Sequence, residues 1–252
     1  MRNLYRGDCL EFLSELRPGG IQTFVTSPPY NIGKEYETRT SLAEYEIWVS
    51  SVARGMFDAV SETGSIFFNV GNYVSRGEVV PLDVICYPIF KALGMQLRNR
   101  IVWTFGHGLH ASKRLSGRHE TVLWFTKTDS YLFDLDSIRV PSKYPNKRHF
   151  KGPKKGQLSG NPLGKNPGDV WDISNVKHNH PEKTDHPCQF PEALVERAIL
   201  ATSVAGDTVA DPFMGSGTTA AVAQRLGRDW LGAEQFPDYW PIIESRVQEG
   251  LL

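Results

Sequence analysis

The chain has 252 residues, 28 basic and 28 acidic side chains, and 40% hydrophobic residues. That is enough apolar material for one α/β core with a modest insertion, and no apolar run approaches the ~18 residues needed to cross a membrane. A net charge of zero does not advertise nucleic acid, so any such partner must be read from how the charge is distributed.

In chain order, Asn3-Leu4-Tyr5-Arg6 is a strand that stops at Gly7-Asp8. The N-terminal stretch from Met1 lacks an apolar signal core. Apolar residues at helical spacing follow from Cys9 to Leu16, with Asp8 placed to cap them. Gln22-Thr23-Phe24-Val25 is a strand, ended by Thr26-Ser27-Pro28-Pro29-Tyr30-Asn31. Residues 32–41 are polar and aperiodic, which predicts a mobile loop. Leu42 to Glu62 predicts a long amphipathic helix and Gly64 to Val70 a buried strand. Val79 to Leu93 predicts a helix with Pro81 near its start and Pro88 at a kink or break. Strands are expected at 98–104 and 120–126, joined by a glycine- and histidine-containing loop over 105–119. Residues 128–180 are the least periodic part of the chain. A structureless segment of that length is functional or disordered in a compact domain. Glu192 to Ala205 predicts a helix with Pro191 at its first turn, and Phe236 to Gln248 the last helix, interrupted early by Pro237 and Pro241.

Two turns carry the chemistry. Consecutive prolines cannot continue a strand, because each fixes φ and lacks an N–H. The turn after Val25 therefore holds Ser27, the Pro28 carbonyl and Tyr30 at a strand's carboxyl end, where ligands sit in open α/β sheets. A hydroxyl, a carbonyl acceptor and an aromatic face are what a planar base with an amino group requires. A turn that only redirects the chain accounts for the prolines equally well. The second turn is Asp211-Pro212-Phe213-Met214-Gly215-Ser216-Gly217-Thr218-Thr219, between apolar Thr208-Val209-Ala210 and the helical Ala220-Ala221-Val222-Ala223. Strand, glycine turn and helix in that order make a nucleotide-type site, although the spacing is not the dinucleotide G-x-G-x-x-G. Glu234, at the end of Trp230-Leu231-Gly232-Ala233, stands where a ribose hydroxyl finds its carboxylate partner, about 20 residues beyond such a turn.

Charge is concentrated in one place. Between Ser137 and Gly168 there are eight basic residues and no acidic one: Arg139, Lys143, Lys147, Arg148, Lys151, Lys154, Lys155 and Lys165. Such a patch binds phosphates, or is a solvated loop. Cys9, Cys86 and Cys188 form no C-x-x-C pair, which points to a reducing compartment and to packing rather than disulfides. Neither the histidines of the 105–119 loop nor His178, His180, His186 and Cys188 have a compact metal-ligand spacing, so no metal is expected.

Together, Ser27-Pro28-Pro29-Tyr30 and Phe213-Met214-Gly215-Ser216-Gly217 resemble the catalytic and cofactor motifs of the S-adenosylmethionine-dependent amino-methyltransferases of DNA that accompany restriction enzymes. Their order, catalytic motif first, resembles the β subgroup. The resemblance covers nearly the whole chain except roughly 128–170. It implies a Rossmann-like methyltransferase fold in one domain, 1–252. A mostly parallel sheet would carry helices on both faces, and 128–180 would be an inserted target-recognition segment. It implies catalysis by Ser27, Pro28, Pro29 and Tyr30, and cofactor contacts from Asp8, Cys9, Asp211, Phe213, Gly215, Ser216, Gly217, Thr218 and Glu234. The 186–191 segment would close over the cofactor's methionine part. DNA contacts are expected from Arg114, Arg118, Lys143, Lys147, Arg148, Lys151, Lys154 and Lys155. Duplex DNA is the implied partner, with a cognate restriction endonuclease, a homodimer and a cytoplasmic location as further expectations.

The implied chemistry follows from the substrate. An exocyclic amine is a poor nucleophile because its lone pair is delocalised into the ring, and inside a duplex it is unreachable, so the base must flip out. Ser27 and the Pro28 carbonyl would accept the amine's hydrogens and Tyr30 would stack on the ring. Serine before the two prolines mostly accompanies cytosine in this family, which points to the N4 amine. Adenine N6 is the alternative, and an RNA or protein methyltransferase or an inactive DNA-binding module are readings of another class.

Overall fold

A computed structural model of the chain describes residues 3–108 and 110–249. Met1 and Arg2 of the N-terminal stretch, and Leu109 of the 105–119 loop, lie outside the described residues. The elements are β1 (Leu4–Arg6), α1 (Cys9–Glu15), β2 (Ile21–Thr26), α2 (Leu42–Ala59), β3 (Val60–Val70), β4 (Asn72–Ser75), β5 (Glu78–Pro81), α3 (Leu82–Ala92), β6 (Gln96–Thr104), β7 (His119–Thr126), β8 (Val170–Asp172), α4 (Glu192–Thr202), β9 (Thr208–Asp211), α5 (Thr218–Arg225), β10 (Asp229–Glu234) and α6 (Trp240–Glu249).

Eight strands form one sheet in the order β1-β10-β9-β2-β3-β7-β6-β8. Every neighbouring pair is parallel except those made by β7, which runs against both β3 and β6. The expected mostly parallel, permuted sheet is thus present: β9 and β10, last in sequence, sit between β1 and β2. Consecutive residues explain the two layers of helix. Phe24 and Phe68 pack with α1, α2 and α3, whereas their neighbours Val25 and Phe67 pack with α4, α5 and α6. Strands buried on both faces lose the apolar–polar alternation, as Ile66-Phe67-Phe68 does.

Four secondary-structure expectations are revised by the fold. The long helix starts at a capping box, with Ser41 and Glu44 bonding each other's backbone N–H, but ends at Ala59. Val60 instead pairs with Ile21 and opens β3, a tertiary choice that local propensity does not contain. The expected helix from Val79 begins at Leu82, because β4 and β5 form an antiparallel hairpin up to Pro81. Pro88 lies inside α3 rather than breaking it. The 128–180 segment is not one free excursion. Its end supplies β8, parallel to β6, and its start packs Tyr131 and Phe133 on Trp124. Between them projects a finger, closed by bridges between Val140 and Lys165 and between Arg148 and Leu158.

Asp211, the last residue of β9, is fully buried and ties three elements together. Its carboxylate accepts from Thr26 Oγ1 at 2.6 Å, Thr219 Oγ1 at 2.8 Å and the Phe213 N–H at 2.9 Å. Burial pushes its pKa up to about 6. An unfolded aspartate titrates near about 4, so between about pH 4 and 6 the native state holds the extra proton and stability falls as pH rises through that window. Asp211→Ala, which leaves three buried donors unpaired, is expected to lower the unfolding free energy by about 3 kcal/mol. Asp211→Asn is expected to flatten the pH slope between about pH 4 and 6. Urea unfolding across that range checks both, and an unchanged midpoint in the alanine variant would exclude the tether.

Candidate active site

A cavity of about 340 Å³ opens where β1, β2, β9 and β10 end. Both turns line it: Ser27, Pro28, Pro29 and Tyr30 from one, Phe213, Met214, Gly215, Ser216 and Thr218 from the other. Asp8, Cys9 and Glu234 complete the wall on the side of β1 and β10.

The diproline turn is held from both sides. The Pro29 carbonyl accepts from the Tyr45 hydroxyl of α2 at 2.9 Å. Asn31 takes a positive φ of 58°, and its side chain bonds both the N–H and the carbonyl of Thr40. Glu37 accepts from the N–H groups of Asn31, Ile32 and Gly33 at 2.7, 2.9 and 3.1 Å. The stretch expected to be a mobile loop is therefore stitched to the turn, and its Tyr36 joins the cavity wall. Within the turn, the Ser27 and Tyr30 hydroxyls lie 2.8 Å apart. Tyr30 donates to Glu120 Oε2 at 2.9 Å, and Asn69 Nδ2 donates to the same oxygen at 2.7 Å. The Tyr30 ring lies flush on Gly71, where a Cβ would stand 2.8 Å from it.

On the side of the glycine turn, Asp8 caps α1, accepting from the Leu10 N–H at 2.7 Å, and also faces the cavity. Glu234 accepts from the Gly215 and Phe236 N–H groups at 2.8 and 2.9 Å, so the carboxylate fixes the glycine turn as well as lining the cavity. Burial raises its pKa. Gly215, at a positive φ of 51°, lets the turn pass His186, whose imidazole a Cβ would meet at 3.1 Å. His186 is wedged between Tyr36 and Tyr239 at ring separations of 5.8 and 4.5 Å. Burial pushes its pKa down to about 4 and keeps it neutral at physiological pH. In the segment expected to cover the cofactor, His186, Pro187, Cys188, Gln189 and Phe190 all line the cavity. Thr218 Oγ1 and the Ser216 carbonyl accept from Arg246 at 2.7 and 3.2 Å, and Arg246 is paired with Glu192 at 2.6 Å. Burial first, and Asp8 second, push the Cys9 thiol up to about 12, so it is a wall and not a nucleophile.

Two expected cofactor residues are elsewhere. Asp211 is buried behind the turn as a tether and does not line the cavity. Gly217 opens α5 at a φ of 77° and packs on Ile243, which a Cβ would approach to 3.0 Å, so its glycine serves helix packing. The eight expected DNA contacts also lie outside the cavity lining. Arg114 and Arg118 sit in the β6–β7 loop, with Arg118 donating to the Gly117 carbonyl at 2.7 Å. Lys143, Lys147, Arg148, Lys151, Lys154 and Lys155 are exposed on the finger, where Arg148 also donates to the Gly156 carbonyl at 2.6 Å. Asn69, Glu120, Trp48 and Asn175 line the cavity without having been singled out from the sequence. Asn69 left a trace, as a lone amide in the apolar run of β3. Glu120 left none, because only the reversed direction of β7 brings the start of that strand to this edge.

Comparison with known proteins agrees with this geometry. Residues 21–245 match the model of a DNA methylase family. The chain is 52% identical to the type II methyltransferase M.BglII of Bacillus subtilis, over 95% of this chain and 67% of that one. It is 31% identical to the DNA adenine methyltransferase YhdJ of Escherichia coli (strain K12), over 94% and 80%. Its fold superposes on the PvuII DNA methyltransferase, described as cytosine-N4-specific, with a TM-score of 0.78, 24% identity and coverage of 96% and 85%. It also matches the protein TTHA0409 of Thermus thermophilus, solved with S-adenosyl-L-methionine, at a TM-score of 0.69, 26% identity and coverage of 98% and 95%. With both motif turns opening into one cavity and the family model spanning nearly the whole chain, this protein belongs to the S-adenosylmethionine-dependent DNA amino-methyltransferases of restriction–modification systems.

Proposed function

We propose that the chain methylates the N4 amine of a cytosine flipped out of duplex DNA at a specific site. The observation that carries the choice of base is Ser27. The acceptor nearest the diproline is a small neutral hydroxyl, held 2.8 Å from Tyr30, and not a carboxylate or amide. In the family that residue mostly accompanies cytosine, and a relative in structure carries the cytosine-N4 description. Pocket shape and acceptor chemistry decide which base enters.

The residues present fit the cofactor. Asp8 and Glu234 supply acceptors for hydroxyl and amino hydrogens, Phe213 supplies a flat apolar face beside Trp48 at 5.5 Å, and the 186–190 segment covers the remaining side. S-adenosylmethionine supplies an electrophilic methyl group. The protein's part is orientation and acceptance. Ser27 Oγ and the Pro28 carbonyl accept the two hydrogens of the amine, drawing its lone pair out of conjugation and towards the cofactor side. The Pro28 carbonyl has no other hydrogen-bond partner among the described residues. Tyr30, fixed by Gly71 behind it, stacks on the ring, and near-attack placement does the rest.

The finger formed by residues 140–165 is assigned to target recognition, with its lysines and arginines on the DNA backbone and with Arg114 and Arg118 contributing from the β6–β7 loop. The same reading includes, as proposals, a cytoplasmic location, a companion endonuclease acting on the same site, and a homodimer.

Two outcomes are expected. Duplex DNA methylated by the chain, digested to nucleosides and analysed by mass spectrometry, yields N4-methyl-2′-deoxycytidine; N6-methyl-2′-deoxyadenosine alone would replace the base and leave the fold and cofactor standing. Replacing Lys151, Lys154 and Lys155 together by glutamine reduces the slope of log affinity against log salt by about 2–3, since each lost phosphate contact removes about 0.9. An unchanged slope would take this part of the finger off the DNA backbone.

A further inference from the structure

Glu120 is a carboxylate that packing alone does not account for. It is the second residue of β7, lines the cavity and faces Tyr30 and Asn69. Asn69 Nδ2 reaches three oxygens of one cluster: Glu120 Oε2 at 2.7 Å, the Tyr30 hydroxyl at 3.0 Å and Ser27 Oγ at 3.4 Å. The direction of the hydrogen bonds in this cluster is set by its charge. An ionised carboxylate only accepts, so the single proton of the Tyr30 hydroxyl goes to Glu120. The Tyr30 oxygen is then left to accept, and the bond between the two hydroxyls at 2.8 Å must run from Ser27 to Tyr30. With its own proton committed, Ser27 Oγ presents only lone pairs to whatever enters the cavity.

We infer that Glu120 orients the Ser27 hydroxyl as an acceptor and is the final acceptor of the proton that the methylated amine gives up. This deepens the function proposed above and rests on it. As the amine's lone pair forms the new N–C bond, the S–C bond of the cofactor breaks and its electron pair stays on sulfur. The nitrogen then holds one proton too many. That proton passes to Ser27 Oγ, the Ser27 hydroxyl proton passes to the Tyr30 oxygen, and the Tyr30 proton passes to Glu120 Oε2. Two hydrogen-bonded hydroxyls thus link a neutral serine to a carboxylate that cooperatively strengthens both bonds. Glu120 is a positioning residue in this scheme, and Asn69 holds its carboxylate in line.

Burial raises the Glu120 pKa, with the Asn69 and Tyr30 hydrogen bonds and the nearby His119 opposing that rise. The titratable groups facing it are Tyr30, from the turn after β2, and His119 on its own strand. β3 offers the amide of Asn69, and β6 pairs Trp103 opposite it. A raised pKa makes the carboxylate a stronger proton acceptor.

The test is single-turnover methylation of duplex DNA as a function of pH, with cofactor affinity measured alongside. In the unaltered chain the rate is expected to fall at low pH as Glu120 takes up a proton. Glu120→Gln is expected to lower the rate by about 10²–10⁴-fold, to lose that acid limb and to bind S-adenosylmethionine as before. Tyr30→Phe cuts the same chain while keeping the carboxylate, which loses one of its two donors. Its cost combined with Glu120→Gln is expected to be far less than the product of the two, as for residues that act as one unit; Tyr30→Phe alone, by losing the same acid limb, decides the matter if Glu120→Gln folds poorly. A Glu120→Gln variant with an unchanged rate and acid limb overturns the inference alone. An unaltered chain that transfers no methyl group to DNA overturns the proposed function, and the inference with it.

Discussion

The site depends on one buried carboxylate. Asp211 ends β9, and its two oxygens hold the last residue of β2, the start of the glycine turn and the second residue of α5. Thr219 adds a bond to the Val25 carbonyl at 3.1 Å, so the helix is tied to the strand that carries the catalytic turn. A desolvated carboxylate costs free energy unless each of its oxygens is bonded, and here both are. The consequence is geometric. The two turns are far apart in sequence, yet they are fixed to the same few atoms. A transfer reaction that needs in-line placement gains more from that fixity than from any acid or base.

Around this tether the labour is divided by depth. Residues behind the turns fix the backbone: Asp211, Thr219 and Tyr45. Residues at the cavity wall carry double duties. Glu234 bonds the glycine turn while lining the cavity, and Asp8 caps a helix while facing the same space. The Ser27–Tyr30–Glu120–Asn69 cluster is the polar floor of the other half. The thiol of Cys9 and the imidazole of His186 are both kept neutral by burial, so these two wall residues act as packing faces.

Much of this is legible in the sequence, for local reasons. Diproline after a strand and glycine turn before a helix are local signals, and both turns line the cavity. The strand order follows once the two motifs are taken in sequence, because the permutation moves β9 and β10 between β1 and β2. What the sequence hides is long-range. Asp211 and Gly217 sit within the cofactor motif, but the first points into the core and the second meets Ile243 of α6. Glu120 becomes a site residue only because β7 runs antiparallel. The order of residues 32–41 comes from one carboxylate, Glu37, whose four backbone partners no periodicity announces. The end of α2 and the β4–β5 hairpin are likewise decided by strand pairing and not by propensity.

The central claim is that the two turns form a single site in which one half holds the cofactor and the other accepts the amine. Ser27→Ala separates the halves, because Ser27 lies on the catalytic turn and bonds none of the residues that wall the cofactor side. Transfer of labelled methyl groups from S-adenosylmethionine to duplex DNA, measured with a calorimetric titration of the cofactor on the same preparation, tests this directly. The account predicts cofactor affinity unchanged within a factor of about two and transfer reduced by about 10²-fold or more. Undiminished transfer, or cofactor binding lost together with transfer in a folded variant, would contradict it.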